Sequence, residues 1–241
     1  MLEAQQRDSI KQKDIEQVVL IGYGAKKKSD LTGSITALSE KDFNKGAITS
    51  AEGLLNGRTS GVVVTQSGTP GNDAVIRVRG GSSLLSSNDP LIVIDGLPVE
   101  GGLSSINPND IESFSILKDA SSTAIYGNRG SNGVILITTK KGSKKKLQVS
   151  FNSFTTYNTL AKNVDVYNGD QFREIINTMA PDKANLLGTA NTNWQDLIFR
   201  NTASFDSNLS LMGNLFDKIP SRLSIGHTEN EGLLLTSNYK R

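Results

Sequence analysis

The 241-residue chain contains no cysteine, which removes disulfides, thiolate metal sites and cysteine nucleophiles together. It has one histidine, His227, so no site that needs two imidazoles can be built. Charge of neither sign dominates: 26 basic against 24 acidic residues give +2, too balanced for a nucleic-acid binder or a polybasic membrane anchor. Aromatic residues are scarce at 6%, and there are only 6 prolines. No run approaches the ~20 apolar residues of a transmembrane helix, and the start is too polar for a signal peptide. His227 has no partner nearby in sequence and is assigned no role. What is plentiful is glycine, 23 residues, alongside serine and asparagine; this is the composition of a chain with many turns and short strands.

Three regions follow from the patterning. Residues 1–30 read as a polar arm carrying one apolar run, Val18-Val19-Leu20-Ile21, expected to be a short strand without a local partner. Residues 31–142 read as a small α+β unit. Ser50 is placed to cap a helix over Ala51–Asn56 that ends at Gly57. Gly61–Gln66 reads as a buried strand, and Val75–Arg79, Leu91–Ile94, Ser113–Leu117 and Val134–Thr139 read as further strands. Asp95-Gly96 closes the Leu91–Ile94 run as a turn. Pro108 opens a short helical turn, and Asp119 starts a helix that runs to Tyr126 and stops at Gly127. Asp110 and Asp119 are both expected as helix caps.

Residues 143–241 change period. Leu147, Val149 and Phe151 alternate with Gln148, Ser150 and Asn152; Phe205, Leu209 and Leu211 alternate with Asp206, Asn208 and Ser210; Leu223 and Ile225 continue the pattern. Such strands fit a transmembrane barrel, and they equally fit a half-buried sheet of a soluble sandwich. A long link over 158–203, with helical patches at Gly169–Met179 and Asn193–Phe199, contrasts with a short turn at 213–218. Long loops at one end and short turns at the other are the habit of outer-membrane barrels.

The spacing Gly127-x-x-Gly130-x-x-Gly133 invites a phosphate-loop reading. A phosphate cradle needs glycines after a strand and before a helix N-terminus, and here the order is reversed, with no Lys or Ser/Thr at the required spacing. These glycines are expected to supply positive φ for turns. Asp89, Asp95, Asp110 and Asp119 fit no calcium-loop spacing. No triad, metal cluster or acid–base pair can be assembled, so neither an enzyme nor a cofactor is expected.

Ordered motifs add a resemblance. Asp89–Val99 reads DPLIVIDGLPV, and Ile106–Gly142 reads INPNDIESFSILKDASSTAIYGNRGSNGVILITTKKG. With Gly22-Tyr23-Gly24, the stretch Lys27–Gly33 and Arg77-Val78-Arg79-Gly80, these resemble the plug of the SusC/RagA family of TonB-dependent outer-membrane transporters, in order and over about residues 18–142. Family members are several times longer. The resemblance therefore implies a fragment: an α+β plug domain, a small mixed β-sheet with short helices, followed by antiparallel strands of an incomplete transmembrane β-barrel. The regions become an arm (1–30), a plug (31–142) and first barrel strands (143–241).

The resemblance also implies roles. Val18, Val19, Leu20 and Ile21 become the candidate Ton box, which pairs with TonB and its inner-membrane energising complex by strand addition. Arg77, Arg79 and Arg129 become candidate clamps onto barrel glutamates, a task that suits the planar guanidinium. Gly80, Asp95, Gly96, Gly127, Gly130 and Gly133 are the signature turns. The implied location is the outer membrane of a Gram-negative, Bacteroidetes-like cell, with the plug inside the barrel and the arm in the periplasm. A SusD-like surface lipoprotein serves as lid, and the barrel contacts outer-membrane lipid. The usual cargo is oligosaccharide; the alternative is a RagA-like peptide importer. Trp194 and Phe199 either touch substrate or lid or anchor an amphipathic helix. The rival of another class is a soluble α+β domain that binds a ligand or phosphate.

Overall fold

The computed structural model describes residues 18–21, 24–27, 35–46, 48–80, 87–144, 146–216 and 218–241, the first two ranges as backbone. Gly22, Tyr23 and the stretch 28–34, part of the plug-entry motif, lie outside the described residues.

β1 (Val18–Ile21) pairs antiparallel with β2 (Gly24–Lys27), Val18 opposite Lys27 and Ile21 opposite Gly24. The apolar run thus has a local partner, contrary to expectation. Only two residues separate the strands, so unpaired backbone groups find a complementary strand close by.

The centre of the plug is a five-stranded sheet in the order β3-β8-β9-β6-β7. Its strands are β3 (Ile35–Ser39), β6 (Leu91–Ile94), β7 (Leu97–Val99), β8 (Ile111–Leu117) and β9 (Val134–Thr139). The β6–β9 pair is parallel and the others are antiparallel. Val134 and Leu136 point to one apolar cluster while Ile135 and Ile137 point to the other. Burial on both faces explains why β9 reads as an unbroken apolar run rather than an alternating one. Phe114 on β8 is fully buried and packs edge-on against Phe43, ring centroids 5.4 Å apart.

Against the first cluster lie α1 (Ala51–Leu55) and the hairpin of β4 (Val62–Thr65) with β5 (Val75–Val78). The Ser50 hydroxyl accepts from the Gly53 N–H at 3.3 Å and sets the start of α1 as its sequence indicates. The hairpin differs from expectation: β4 is half-exposed, Val63 by 59%, because among the described residues it pairs with β5 alone and no layer covers its outer face. α2 (Ala120–Thr123) passes into 3-10 turns over Ala124–Gly130, broken at Gly127 where φ is 58° and ψ is −146°.

Beyond the plug, β10 (Gln148–Asn158), β11 (Thr202–Leu215), β12 (Ile219–Glu231) and β13 (Asn238–Lys240) form an open antiparallel sheet in chain order. The β11–β12 turn is tighter than the expected 213–218, occupying only the residues between Leu215 and Ile219. The long link carries α3 (Gly169–Met179), opened by a reciprocal capping box between Asn168 and Gln171, and α4 (Trp194–Ile198), capped by Asn193. Among the described residues no helix is long and apolar enough to cross a membrane, which says nothing about strands.

Candidate functional site

The outer sheet resolves the ambiguity of its own alternation. Cross-strand register puts Val149, Leu211 and Leu223 in one row and Phe151, Leu209 and Ile225 in the next, on the same face. That face is open: Val149 is 63% exposed, Phe151 66% and Ile225 61%. The other face carries Thr202, Ser204, Asp206, Asn208, Ser210 and Thr228, and these polar residues are the buried ones. They satisfy one another, Thr228 donating to Asp206 at 2.7 Å and Ser204 to Asn230 at 2.9 Å. A soluble sandwich buries the apolar face. A wall with its polar face turned inward and its apolar face outward is built for lipid outside and a hydrated or plugged lumen inside.

The plug meets this wall through the segment between β7 and β8. Asn107 accepts from the Asn109 N–H at 3.0 Å and shapes the turn Pro108–Asp110. Asp110, the last residue of that turn, accepts from the Arg222 guanidinium on β12 at 2.6 Å. The Arg222 side chain is 11% exposed and that of Asp110 28%, so the pair is largely shielded from water. Arg241 adds a second tie: its Nη1 donates to the carbonyls of Ser104 at 3.1 Å and Ile106 at 3.0 Å. Glycines let the two parts touch at backbone distance. A Cβ on Gly226 of β12 would sit 2.5 Å from Asn107 Nδ2, and one on Gly142 would collide with the backbone of Pro220 and Ser221.

The three arginines singled out in the sequence as clamps make the following contacts among the described residues. Arg79 pairs within the plug, with Asp119 at 2.5 Å, and its N–H donates to the Gly61 carbonyl at 2.7 Å. Its φ of 57°, uncommon for a side-chain-bearing residue, is held by those two contacts. Lys118 crowds the same corner, donating to the Ser60 carbonyl at 2.6 Å; burial, then the neighbouring Arg79, push its ammonium below the ordinary value. Arg129 pairs with Glu100 at 3.1 Å on an open surface, where such pairs are worth ~0–1 kcal/mol. Arg77 is exposed on β5 and makes no ion pair among the described residues. None of the three touches β10–β13 through a polar contact among those residues. The ion pair that does join the plug to these strands is Arg222–Asp110, wall cation to plug acid. The readable signal was phase: Arg222 shares the inward register of Ser224 and Gly226 on β12.

The signature turns sort by cause. Gly80, Gly96, Gly127 and Gly133 have positive φ, and Asp95, at φ 48°, joins them. Gly130 departs from expectation: its φ is not positive, and it is small because a Cβ would press against the Thr123 carbonyl at 3.0 Å. Asp95 is more than a turn residue, since its carboxylate accepts from the Thr139 N–H at 3.0 Å and from its hydroxyl at 2.6 Å, stapling β6 to β9. Asp119 precedes α2 without a capping bond from its side chain, and its carboxylate pairs with Arg79. Asp110 ends its turn rather than capping it; Asn107 is the cap. The Gly127–Gly133 stretch leads into β9, so no helix N-terminus follows it to hold a phosphate. Among the described residues no group of three or more His, Cys, Asp or Glu side chains is arranged to hold a metal.

The architecture is a small mixed sheet seated against an open, inward-polar strand wall, the arrangement of a plug domain beside its first wall strands. Residues 27–134 match the family model of the TonB-dependent receptor plug domain. The chain is 48% identical over 238 residues to the TonB-dependent receptor SusC of Bacteroides thetaiotaomicron, covering 94% of this chain and 24% of that protein. It is 39% identical to the TonB-dependent receptor P26 of Formosa agariphila, again over 94% of this chain and 24% of the relative. A solved structure of the RagAB peptide transporter superposes with a TM-score of 0.73 at 26% identity, covering 86% of this chain and 28% of that one. The chain belongs to the SusC/RagA family of TonB-dependent outer-membrane transporters. It spans about a quarter of the length of the curated relatives it matches, 24% in both cases.

Proposed function

We propose that the chain is the gate and docking arm of a SusC-type importer, with residues 1–30 as arm, 31–142 as plug and 143–241 as the first wall strands. The observation that carries this reading is the inverted outer sheet, apolar outside and polar against the plug. The whole transporter then lies in the outer membrane of a Gram-negative cell, with the arm in the periplasm and the long α3–α4 link facing outward. No chemistry on the cargo is required of the chain. Val18–Ile21 is the TonB-interacting segment: in the order β1-β2 one edge of β1 is unpaired among the described residues, and a partner strand can add there through backbone hydrogen bonds. A SusD-like lipoprotein closes the outer side. Oligosaccharide is the proposed cargo, as the usual one that the SusC/RagA resemblance implies. A peptide is the second reading, favoured by the structural likeness to the RagAB peptide transporter.

The test uses cells that express the full-length transporter with its lipoprotein and are offered labelled oligosaccharides and oligopeptides. Wild type accumulates an oligosaccharide, and Val19→Pro, which removes a backbone donor from the strand, abolishes uptake and the capture of TonB. Equal capture of TonB by both proteins would remove Val18–Ile21 from this role. Uptake of peptides alone would move the cargo to the second reading.

A further inference from the structure

The long link between β10 and β11 is more rigidly built than its length requires. Val164 and Gln195 exchange two bonds, the Val164 N–H donating to Gln195 Oε1 at 2.8 Å and Gln195 Nε2 to the Val164 carbonyl at 2.7 Å. The Gly169 N–H donates to Asn191 Oδ1 at 2.8 Å, and Asn191 Nδ2 donates to Asp170 at 2.7 Å. Arg173 donates to the Gly188 and Ala190 carbonyls at 2.9 and 3.1 Å. Side-chain bonds of this kind stitch the stretches 163–170 and 188–195 side by side at both ends.

Between them lies a cleft of about 330 Å³ with an unusual lining. Tyr167 and Trp194 line it and are 71% and 70% exposed, so neither ring packs into a core among the described residues. The side chains of Asn163, Asp165 and Thr192 line it as well and make no hydrogen bond among the described residues. A second cleft of about 450 Å³ adjoins it and shares Asn163 and Gln195.

Rings held open in a pre-shaped cleft, beside spare amide, carboxylate and hydroxyl groups, match one ligand chemistry. The C–H-bearing face of a pyranose carries slight positive charge and lies well on the electron-rich face of an indole or phenol. Its rim hydroxyls both donate and accept, and Asn163, Asp165 and Thr192 supply both functions. A protein partner would favour a flatter, drier patch, whereas the cleft has the size and mixed lining of a small-molecule site. Because the stitching fixes the walls beforehand, little ordering cost falls on binding.

We infer that this link forms an oligosaccharide-binding subsite on the outward loop, with Trp194 and Tyr167 as stacking platforms, Asn163, Asp165 and Thr192 as hydroxyl partners, and the adjoining cleft extending it to further sugar units. The inference rests on oligosaccharide being the cargo.

The test is oligosaccharide binding by purified full-length transporter, without its lipoprotein, in detergent, using the oligosaccharide that the cells take up. Trp194→Ala and Tyr167→Ala should each raise Kd about tenfold, while Trp194→Phe, which keeps an aromatic face, should lose much less. Unchanged affinity in both alanine variants, with wild type still binding, overturns the subsite and leaves the transporter reading intact. In a parallel purification from cells that also express the lipoprotein, its loss from the alanine variants with unchanged sugar affinity also overturns it, and assigns the rings to the lid. Binding of peptides and no sugar by wild type overturns the cargo reading itself. The wild-type capping and stitching bonds do not involve either ring, so both variants keep the loop fold; circular dichroism and thermal melting should confirm this.

Discussion

Arg222→Ala is the sharpest probe of how the plug is held. The substitution leaves Asp110, which is only partly exposed, without its cation. A charged hydrogen bond in a partly shielded site is worth about 2 kcal/mol, well under the cost of orphaning a fully buried ion, because Asp110 keeps some access to water. That energy corresponds to a rise of roughly thirtyfold in the population whose turn has left the wall. The assay is hydrogen exchange on full-length transporter, read at the amides of Ser104, Ile106, Asn109 and Asp110. Ile106 and Asp110 donate to Leu103 and Asn107 within the turn, Ser104 to Asp73 and Asn109 to the Asn107 side chain. Their protection should drop by about that factor while the β8–β9 ladder keeps its own. Asp110→Asn should do much the same, and the double variant should cost little more than either single change. If exchange at these amides stays within about twofold of wild type, or the two substitutions add in full, the pair does not hold the plug.

Two further outcomes follow from the plug interior. Gly133→Ala places a Cβ at φ +92° and 2.9 Å from the Val78 Cβ; it should lower plug stability by about 1–3 kcal/mol, read as loss of exchange protection in β9, and an unchanged ladder would contradict the packing. Glu52 is 1% exposed, and burial pushes its carboxyl above the ordinary value of 4.5, with Asp73 adding to the rise. A carboxyl whose folded value is raised loses stability as pH climbs from the unfolded value through the folded one. Glu52→Gln should therefore protect α1 better than wild type near neutral pH, and the advantage should vanish on acidification toward 4.5; a constant advantage would refute it.

Much of the plug was legible because its signals are local. Ser50, Asn107 with Pro108 and the Asn168–Gln171 pair mark helix starts by chemistry that acts within a few residues, and the unbroken run Val134–Thr139 marks a strand buried on both sides. Tertiary contacts were not legible in this way. β4 read as buried because Val62-Val63-Val64 is apolar throughout, but nothing in those residues states that no described layer covers Val63. Arg79 and Asp119 lie far apart in sequence, and so do Asp110 and Arg222, so no local motif could show either pairing. The apolar and polar faces of the outer strands were visible as alternation, but which face looked inward depended on the plug being there to bury Asn208 and Thr228.

Gly226 makes the wall and the plug a fitted pair of parts. Asn107 rests against it, the same asparagine shapes the turn, and the turn aims Asp110 at Arg222. How closely the plug turn approaches β12 at this level is therefore set by the absence of a side chain on one strand residue. A plug grafted into a foreign barrel with an alanine or serine at that position would ride higher by the thickness of a methyl group, and its acid would miss its cation although every residue of the plug itself was unchanged. The plug turn and this wall strand are in that sense a matched pair, and an exchange of one should carry the matching stretch of the other.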